Sequence, residues 1–234
     1  MANKEFVRDD GRKFDELRPM TAKVGVVPNA DGSAMFSFGK TIAIAAVYGP
    51  KELHPRNQRD PAKGTLRCNY NMLSFSVEDR IRPGPSRRST EISKITEWAL
   101  GPVVMIDEYP NMVIDVHIQI IQASASTRCA GINAAAMALA HAGIPMKSIV
   151  SSVSVGKLDK QLILDVNKYE DSVFDEGEGA TDIPITFTSD EKITHFQLDG
   201  KISNEQLKEV IEMARKARKE IYEVQKKALK EALN

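Results

Sequence analysis

Residues 112–145, MVIDVHIQIIQ ASAS TRCAGINAAAMALAHA GIP, have the pattern of a strand followed directly by a helix. In the first eleven residues, one set of alternating positions is apolar: Met112, Ile114, Val116, Ile118 and Ile120. Asp115, His117 and Gln119 fall on the opposite set, so the period of two predicts a strand with one core face and one polar face. Residues 127–142 are rich in alanine and precede Gly143 and Pro145, which predicts a closely packed, buried helix.

Before this segment, short strands are predicted at residues 24–27, 35–38 and 42–48, and Gly49-Pro50 is expected to end the third. Two hairpins are predicted later, from residues 150–155 with 162–166 and from residues 183–187 with 193–198. A helix is predicted at residues 89–100, with either Trp98 or Ala99 completing the apolar face that Ile92 and Ile95 begin.

The last segment predicts a long helix, because Ser203 and Gln206 have the spacing of a capping box. Its apolar stripe would be Leu207, Val210, Ile211, Ala214, Ile221, Val224, Ala228 and Ala232. Strands and helices come in blocks, which favours an α+β fold with a mixed sheet and packed helices. We expect one domain over residues 1–234, with a core of about 8–150 and a C-terminal part of about 151–234 packed against it.

Composition excludes several classes of protein. The 234 residues are 42% hydrophobic, and 32 Lys and Arg balance 32 Asp and Glu, which is unlike a disordered chain or a polycation that binds nucleic acid throughout. We see no membrane span and no secretory signal, so a cytoplasmic location is expected. Cys68 and Cys129 lack the spacing of a zinc site or a disulfide framework and are expected to be buried free thiols.

Local charge is less even than the total. Residues 51–94 carry ten basic and five acidic residues, whereas residues 165–182 carry seven acidic residues and only Lys168 as a base. The two segments could meet at a functional site or could be unrelated solvated faces.

The junction Ser124-Ala125-Ser126-Thr127-Arg128, between the best strand and the alanine-rich helix, is a candidate anion site. A helix amino terminus offers unpaired N–H groups and a partial positive charge, to which Thr127 and Arg128 add a hydroxyl and a guanidinium. The alternative is an ordinary Ser/Thr helix cap followed by a surface arginine.

Basic residues supply a second candidate. Arg87 and Arg88 begin a predicted helix and could bind phosphodiesters, or they could be solvated loop charges. Further candidates for RNA binding surround the loop His54-Pro55-Arg56-Asn57: Lys51, Arg56, Arg59 and, as a base-stacking ring or a core residue, Tyr70.

Carboxylates supply the third candidate, since Asp171 and Asp182 bracket a glycine-rich acidic loop. Such a pair could act as a general acid or hold magnesium, although solvated loop acids are the alternative. No Walker A or GxGxxG motif is present, so nucleoside triphosphate chemistry has no support.

Taken together, these motifs resemble the ribonuclease PH family over nearly the whole chain. The matching segments are Arg8-Asp9-Asp10-Gly11-Arg12, Glu16-Leu17-Arg18-Pro19, Pro85-Ser86-Arg87-Arg88, Thr127-Arg128, Ala142-Gly143-Ile144-Pro145, Glu170-Asp171 and Thr181-Asp182-Ile183-Pro184. Their details are closer to the catalytic subunits of archaeal exosomes than to bacterial ribonuclease PH. The resemblance implies mixed sheets with packed helices, similar to domain 2 of ribosomal protein S5.

The resemblance also implies an activity: 3′ to 5′ phosphorolysis of RNA, with inorganic phosphate as co-substrate and nucleoside diphosphates as products. Phosphate would bind at Ser126, Thr127 and Arg128, while Arg87 and Arg88 would hold the RNA backbone. Asp182 or Asp171 would protonate the leaving 3′ oxygen, and the same two carboxylates would be the tentative ligands of magnesium.

The partners implied are a single-stranded RNA 3′ end, a related noncatalytic subunit that alternates with this one in a hexameric ring, and RNA-binding cap subunits. Arg56 and its loop would line the pore of the ring. The chain departs from the family in having Ser124 and Ser126, where Asp and Gly are usual, and in a longer segment between Asp171 and Asp182.

Two other functions compete with this interpretation. A noncatalytic RNA-binding scaffold of the same ring would need no acid beside an anion site. A small-molecule kinase with a related core would need a glycine-rich phosphate loop, and the sequence has none.

Overall fold

The computed structural model describes residues 8–158, 161–173 and 180–232, with the side chains of residues 171–173 and 180 left out. The strands are β1 (Met20–Val24), β2 (Gly32–Phe38), β3 (Thr41–Glu52), β4 (Thr65–Met72), β5 (Met112–Gln122), β6 (Val150–Leu158), β7 (Gln161–Leu164), β8 (Ala180–Thr188) and β9 (Ile193–Phe196). The helices are α1 (Arg87–Leu100), α2 (Thr127–His141), α3 (Lys168–Val173) and α4 (Asn204–Glu231).

The first sheet has the strand order β1-β2-β3-β5-β4. Its pairs are antiparallel except that β4 runs parallel to β5, from Thr65 opposite Val113 to Met72 opposite Ile120. A parallel neighbour needs a long crossover, which α1 and the segment after it provide. The sheet is therefore mixed, as the sequence predicts.

The second sheet has the order β7-β6-β8-β9 and is antiparallel throughout. Both predicted hairpins, β6-β7 and β8-β9, are present in it. Because β8 pairs with the full length of β6, residues far apart in sequence meet: Gly156 lies opposite Asp182 and Leu158 opposite Ala180.

Helix α2 packs against strands of both sheets and forms the centre of the core, as its small residues predict. At Gly131 an added Cβ would lie 3.2 Å from the Ile118 side chain, a tight contact, so the small residue lets the helix pack closely against β5. The buried Asn133 binds the backbone of Ser152 on β6 through both its amide nitrogen and its oxygen. The α+β fold class with packed helices is confirmed.

Several predicted boundaries were wrong. The first strand is Met20–Val24 rather than residues 24–27, and β3 continues past Gly49-Pro50 to Glu52 with a shift in register between Tyr48 and Lys51. Met112 is exposed because it begins its strand at the sheet margin. Helix α1 is completed by the buried Ala99, while Trp98 is 61% exposed.

The capping box of α4 is confirmed, with Ser203 accepting from the backbone of Gln206 and Gln206 accepting from the backbone of Ser203. Its stripe also buries two polar residues that the sequence did not indicate, Arg218 and Gln225, and both are hydrogen-bonded to neighbouring strands or turns.

Cys68 and Cys129 are buried free thiols, as expected. Among the helices of the described residues, none combines the length and the apolarity needed to cross a bilayer.

Candidate functional site

The junction between β5 and α2 has an unusual backbone. Ala125 and Ser126 both have positive φ values, 55° and 52°, a conformation that residues with side chains seldom adopt. Within the described part of the chain, the backbone N–H groups of residues 125–129 have no acceptor. Five donors therefore lie together at the amino terminus of a buried helix, which is the arrangement that binds an anion.

The simpler interpretation of this junction, a serine cap on a helix, was wrong. Ser126 precedes α2 but makes no side-chain capping bond. Its hydroxyl donates instead to Oδ1 of Asp165, at 3.1 Å. Since the cap bond is not made, the N–H groups at the start of α2 stay available to a ligand.

Arg128 is not a free surface arginine either. Its side chain is 14% exposed. One terminal nitrogen donates to Oε1 of Gln197, which follows β9, and the other lies 3.8 Å from Oε1 of Glu91 on α1. Its Nε is buried without a hydrogen-bond partner among the described residues. The guanidinium is thus fixed between α1, α2 and β9 and retains donor capacity.

Asp182 lies on β8 beside this junction. Asp182 is exposed by its accessible surface. The protein atoms packed around its carboxyl nevertheless desolvate it, and this raises its pKa above the ordinary value. A hydrogen bond from Ser154 and the charges of Arg128 and Arg88 oppose the rise. A carboxyl with a raised pKa retains a proton at higher pH and is suited to act as a general acid.

Arg87 and Arg88 begin α1, where Ser86 and Ser89 form a capping box that fixes the start of the helix. Both side chains are exposed, and neither forms an ion pair with a described residue. Helix α1 contacts α2 and β9, and α2 contacts β8. The charges of Arg88 and Arg128 both lower the pKa of Asp182, so the three groups border one region. Beside it, Arg87 lines an open groove of about 490 Å³.

Other predicted site residues lie elsewhere. Tyr70 is 2% exposed and packs in the core, so the stacking role was wrong, because its ring has no face open to a base. Lys51 pairs with Asp115 at 2.8 Å, and Arg59 pairs with Glu52 at 2.8 Å. Lys51, Arg56 and Arg59 lie near the start of β5, whereas Ser124 follows its end. At the rise per residue of a strand, the two ends are about 30 Å apart.

Of the predicted carboxylate pair, the described residues include the side chain of Asp182 but not that of Asp171. Asp171 is in α3, but its side chain and the glycine-rich loop lie outside the described residues, so its proximity to Asp182 is untested. Asp182 uses Oδ1 to accept from Ser154, and Oδ2 can hold either a proton or a metal ion. A second acidic group, Asp9, Asp10 and Glu170, has ligand atoms within 4.8 Å of one another, but Arg8 already binds Glu170 at 2.6 Å.

Several residues that shape this region were not predicted from the sequence. Burial and the charge of Arg128 lower the pKa of His195 to about 4, so His195 is neutral near pH 7. Gln197 holds Arg128, and Asp165 forms a buried pair with Arg18 at 2.6 Å. Each of these partners is distant in sequence, so local spacing gave no signal of them.

Chemically, the arrangement suits displacement at a phosphodiester. Free N–H donors and Arg128 can hold one anion, and Arg87 and Arg88 can hold another. The Asp182 carboxyl, whose pKa is raised, lies within reach of the charges of Arg128 and Arg88 and is suited to serve a leaving alkoxide as its acid. The geometry brings together Ser126, Thr127, Arg128, Arg88 and Asp182 out of the predicted site residues.

Comparison with protein families matches residues 16–145 to the 3′ exoribonuclease family, domain 1, and residues 148–217 to the 3′ exoribonuclease family, domain 2. The chain is 47% identical over 225 residues to the exosome complex component Rrp41 of Thermococcus kodakarensis, covering 96% of this chain and 88% of the relative. It is 45% identical over 224 residues to Rrp41 of Methanosarcina mazei, which covers 96% of this chain but only 44% of that longer relative. Among solved structures, rice Rrp46 has a TM-score of 0.81 at 26% identity, over 95% of this chain and 100% of that one.

Proposed function

The chain belongs to the 3′ exoribonuclease family of ribonuclease PH-like proteins, and from this premise we propose that it shortens RNA from the 3′ end by phosphorolysis. We propose further that it is the catalytic subunit of an archaeal type of exosome core, in keeping with its similarity to Rrp41 proteins. One observation carries the proposal: five backbone N–H groups with no acceptor among the described residues, together with Arg128, lie near a carboxyl whose pKa is raised.

Inorganic phosphate would bind the N–H groups at the start of α2, together with Thr127 and Arg128. The Ser126 hydroxyl is directed to Asp165, so Ser126 would contribute through its backbone. Arg87 and Arg88 would bind phosphates near the RNA 3′ end. Positive charge from both sides reduces the repulsion between an attacking anion and an anionic diester.

In the reaction, a phosphate oxygen attacks the phosphorus of the last diester, and the bond from that phosphorus to the 3′ oxygen of the preceding nucleotide breaks. The proton of Asp182 passes to this 3′ oxygen. The products are a nucleoside diphosphate and an RNA one nucleotide shorter that ends in a 3′ hydroxyl. Because the contacts are to phosphates, degradation would be largely indifferent to base sequence.

Magnesium would be held by Asp182, with Asp171 as the second ligand. A bound ion would supply positive charge next to the incoming phosphate and the RNA. Metal binding requires Asp182 to be ionised, whereas proton donation requires it to be protonated, so one carboxylate cannot do both at once. In the metal-bound form the acid would have to be another group, and Asp171 is the candidate.

The partners we propose are a noncatalytic ribonuclease PH-like subunit, alternating with this chain in a hexameric ring, and RNA-binding cap subunits. Lys51, Arg56 and Arg59 lie far from the α2 junction, which suits contact with RNA upstream of its 3′ end, along a pore. A cytoplasmic location stays a prediction from the sequence.

The deciding experiment uses 5′ end-labelled RNA with this chain, alone and assembled with its ring partner, with and without inorganic phosphate. We expect nucleoside diphosphates only when phosphate is present, and loss of activity in Asp182→Ala or Asp171→Ala would identify the acid. Release of monophosphates without phosphate would instead mean hydrolysis. RNA binding without cleavage under any condition would support the scaffold alternative.

A further inference from the structure

The loop of residues 124–126 keeps an unfavourable backbone conformation, with two successive residues at positive φ. Neither is a glycine, and each such residue costs of order 1 kcal/mol unless its surroundings hold it. The contacts that hold this loop therefore determine whether the N–H groups of residues 125–129 point to one place.

One of these contacts is Thr41, at the start of β3. Its hydroxyl oxygen accepts from the backbone N–H of Ser124 at 3.0 Å and donates to the carbonyl of Ala125 at 2.8 Å. Thr41 is completely buried. A single hydroxyl thus fixes the loop on both sides of its first peptide, with no water to replace it.

The second contact is the buried pair of Arg18 and Asp165. The carboxylate accepts from Nε and Nη2 of Arg18 at 2.8 and 2.6 Å, and the same arginine donates from Nη1 to the carbonyl of Ser124 at 2.5 Å. The carboxylate also accepts from the hydroxyl of Ser126. The pair therefore holds both ends of the loop, and burial makes these charge-assisted bonds strong.

None of these bonds uses the N–H groups of residues 125–129. We infer that Thr41, Arg18 and Asp165 form a positioning unit that holds the loop so that its N–H groups converge on inorganic phosphate, and that the unit sets phosphate affinity more than the rate of the chemical step. This inference rests on the proposed function. It assigns no contact with the substrate to any of the three residues.

Thr41→Val tests the unit with little change of shape, because valine replaces the hydroxyl by a methyl group. Ser124 would lose its acceptor and Ala125 its donor, so the loop would relax from its positive φ values. Thr41→Ser restores the hydroxyl. Thr96→Val is the matched control, since Thr96 is equally buried but bonds only the carbonyl of Ile92 within α1.

Initial rates of the assembled ring are measured as phosphate is varied at saturating RNA. For Thr41→Val we expect the KM for phosphate to rise about 5- to 10-fold, the usual effect of losing such bonds, with kcat and the KM for RNA within about twofold of the parent. Thr41→Ser and Thr96→Val are expected to keep the parent KM for phosphate. Direct titration with inorganic phosphate provides a readout that does not depend on cleavage.

An unchanged phosphate KM in Thr41→Val, or an equal rise in Thr96→Val, would overturn the inference. If the ring binds phosphate but never cleaves RNA, the proposed function fails, while weaker phosphate binding by Thr41→Val would still support the positioning unit. Should Thr41→Val not fold, Ser126→Ala removes the hydroxyl that bonds Asp165 at 3.1 Å and the carbonyl of Val166 at 3.4 Å. This variant is expected to raise the phosphate KM by about threefold.

Discussion

Ser154 on β6 donates a hydrogen bond to Oδ1 of Asp182 on β8, the strand paired with it. In the antiparallel register, Asp182 lies opposite Gly156, so Ser154 is its diagonal neighbour two residues away. The bond leaves Oδ2 without a partner among the described residues, and desolvation by neighbouring protein atoms raises the pKa of the carboxyl. Asp182 is therefore oriented by β6 and disposed to carry a proton.

Replacing Asp182 tests its role as the acid. Asp182→Asn keeps the shape and the bond to Ser154 but cannot give up a proton, so we expect kcat to fall about 10²- to 10³-fold. The measurement is phosphorolysis of labelled RNA by the assembled ring. Asp190→Asn is the control, because Asp190 is exposed in the β8-β9 turn and should leave kcat unchanged. Comparable activity in both variants would remove Asp182 from the mechanism.

The pH dependence follows from the direction of the pKa shift. A general acid acts when protonated, so kcat should fall as pH rises through the raised pKa of Asp182. Arg88 lowers that pKa, so Arg88→Ala should move the falling limb to higher pH. Inorganic phosphate also changes its charge with pH, which could itself change kcat. The fall of kcat is therefore assigned to Asp182 only if the residual activity of Asp182→Asn does not show it. A limb that does not move in Arg88→Ala contradicts the assignment.

Arg87 and Arg88 are expected to bind RNA through phosphates. Replacing either arginine by alanine should weaken binding of single-stranded RNA by a similar factor for every sequence, and should reduce the slope of log affinity against log salt by about 0.7. Fluorescence anisotropy from low to moderate salt measures both effects. Lys208→Ala, an exposed charge on α4, removes one positive charge elsewhere and should leave the slope unchanged. Equal effects in all three variants would indicate only a general electrostatic attraction.

The two cysteines should be chemically inert in the folded protein. Burial raises the pKa of Cys129 to about 12 and raises that of Cys68 as well, so almost no thiolate forms near neutral pH. A thiol-specific disulfide reagent should detect no thiol in the native protein and two in denaturant. Rapid reaction of either thiol in the native protein would show that the core opens locally.

Much of the fold could be predicted from local sequence. β5 and the start of α2 were predicted to the residue, because alternating apolar and polar positions followed by an alanine-rich run favour a strand and then a helix. The capping box at Ser203 gave the start of α4 in the same way. Tyr70 could also have been assigned correctly, since Cys68 and Tyr70 share the buried face of β4.

The supports of the candidate site could not be predicted, because they join residues far apart in sequence. Arg18 and Asp165 are separated by 147 positions, and Arg8 and Glu170 by 162. For the acidic segment, the sequence left open a functional site or a solvated face, yet two of its members are buried and paired with Arg18 and Arg8 from the N-terminal region. Local charge counting cannot detect a partner supplied by another part of the fold.

The last prediction concerns the ring partner. The α2 junction and the basic residues around Arg56 lie at opposite ends of β5, about 30 Å apart. One chain thus offers RNA two separate basic regions rather than a continuous path, and with few phosphate contacts the RNA would dissociate between cleavage steps. We expect this chain alone to bind RNA weakly and to release few nucleotides, and the assembled ring to degrade the same RNA to short ends without releasing it.

A trap of excess unlabelled RNA, added after the reaction starts, distinguishes the two modes, because only an enzyme that stays bound continues on labelled RNA. Arg56→Ala, assembled in the ring, should lose this persistence while retaining cleavage of RNA too short to reach the second region. Processive degradation by the single chain, or an Arg56→Ala ring that degrades long RNA as the parent does, would contradict a path completed by the partner.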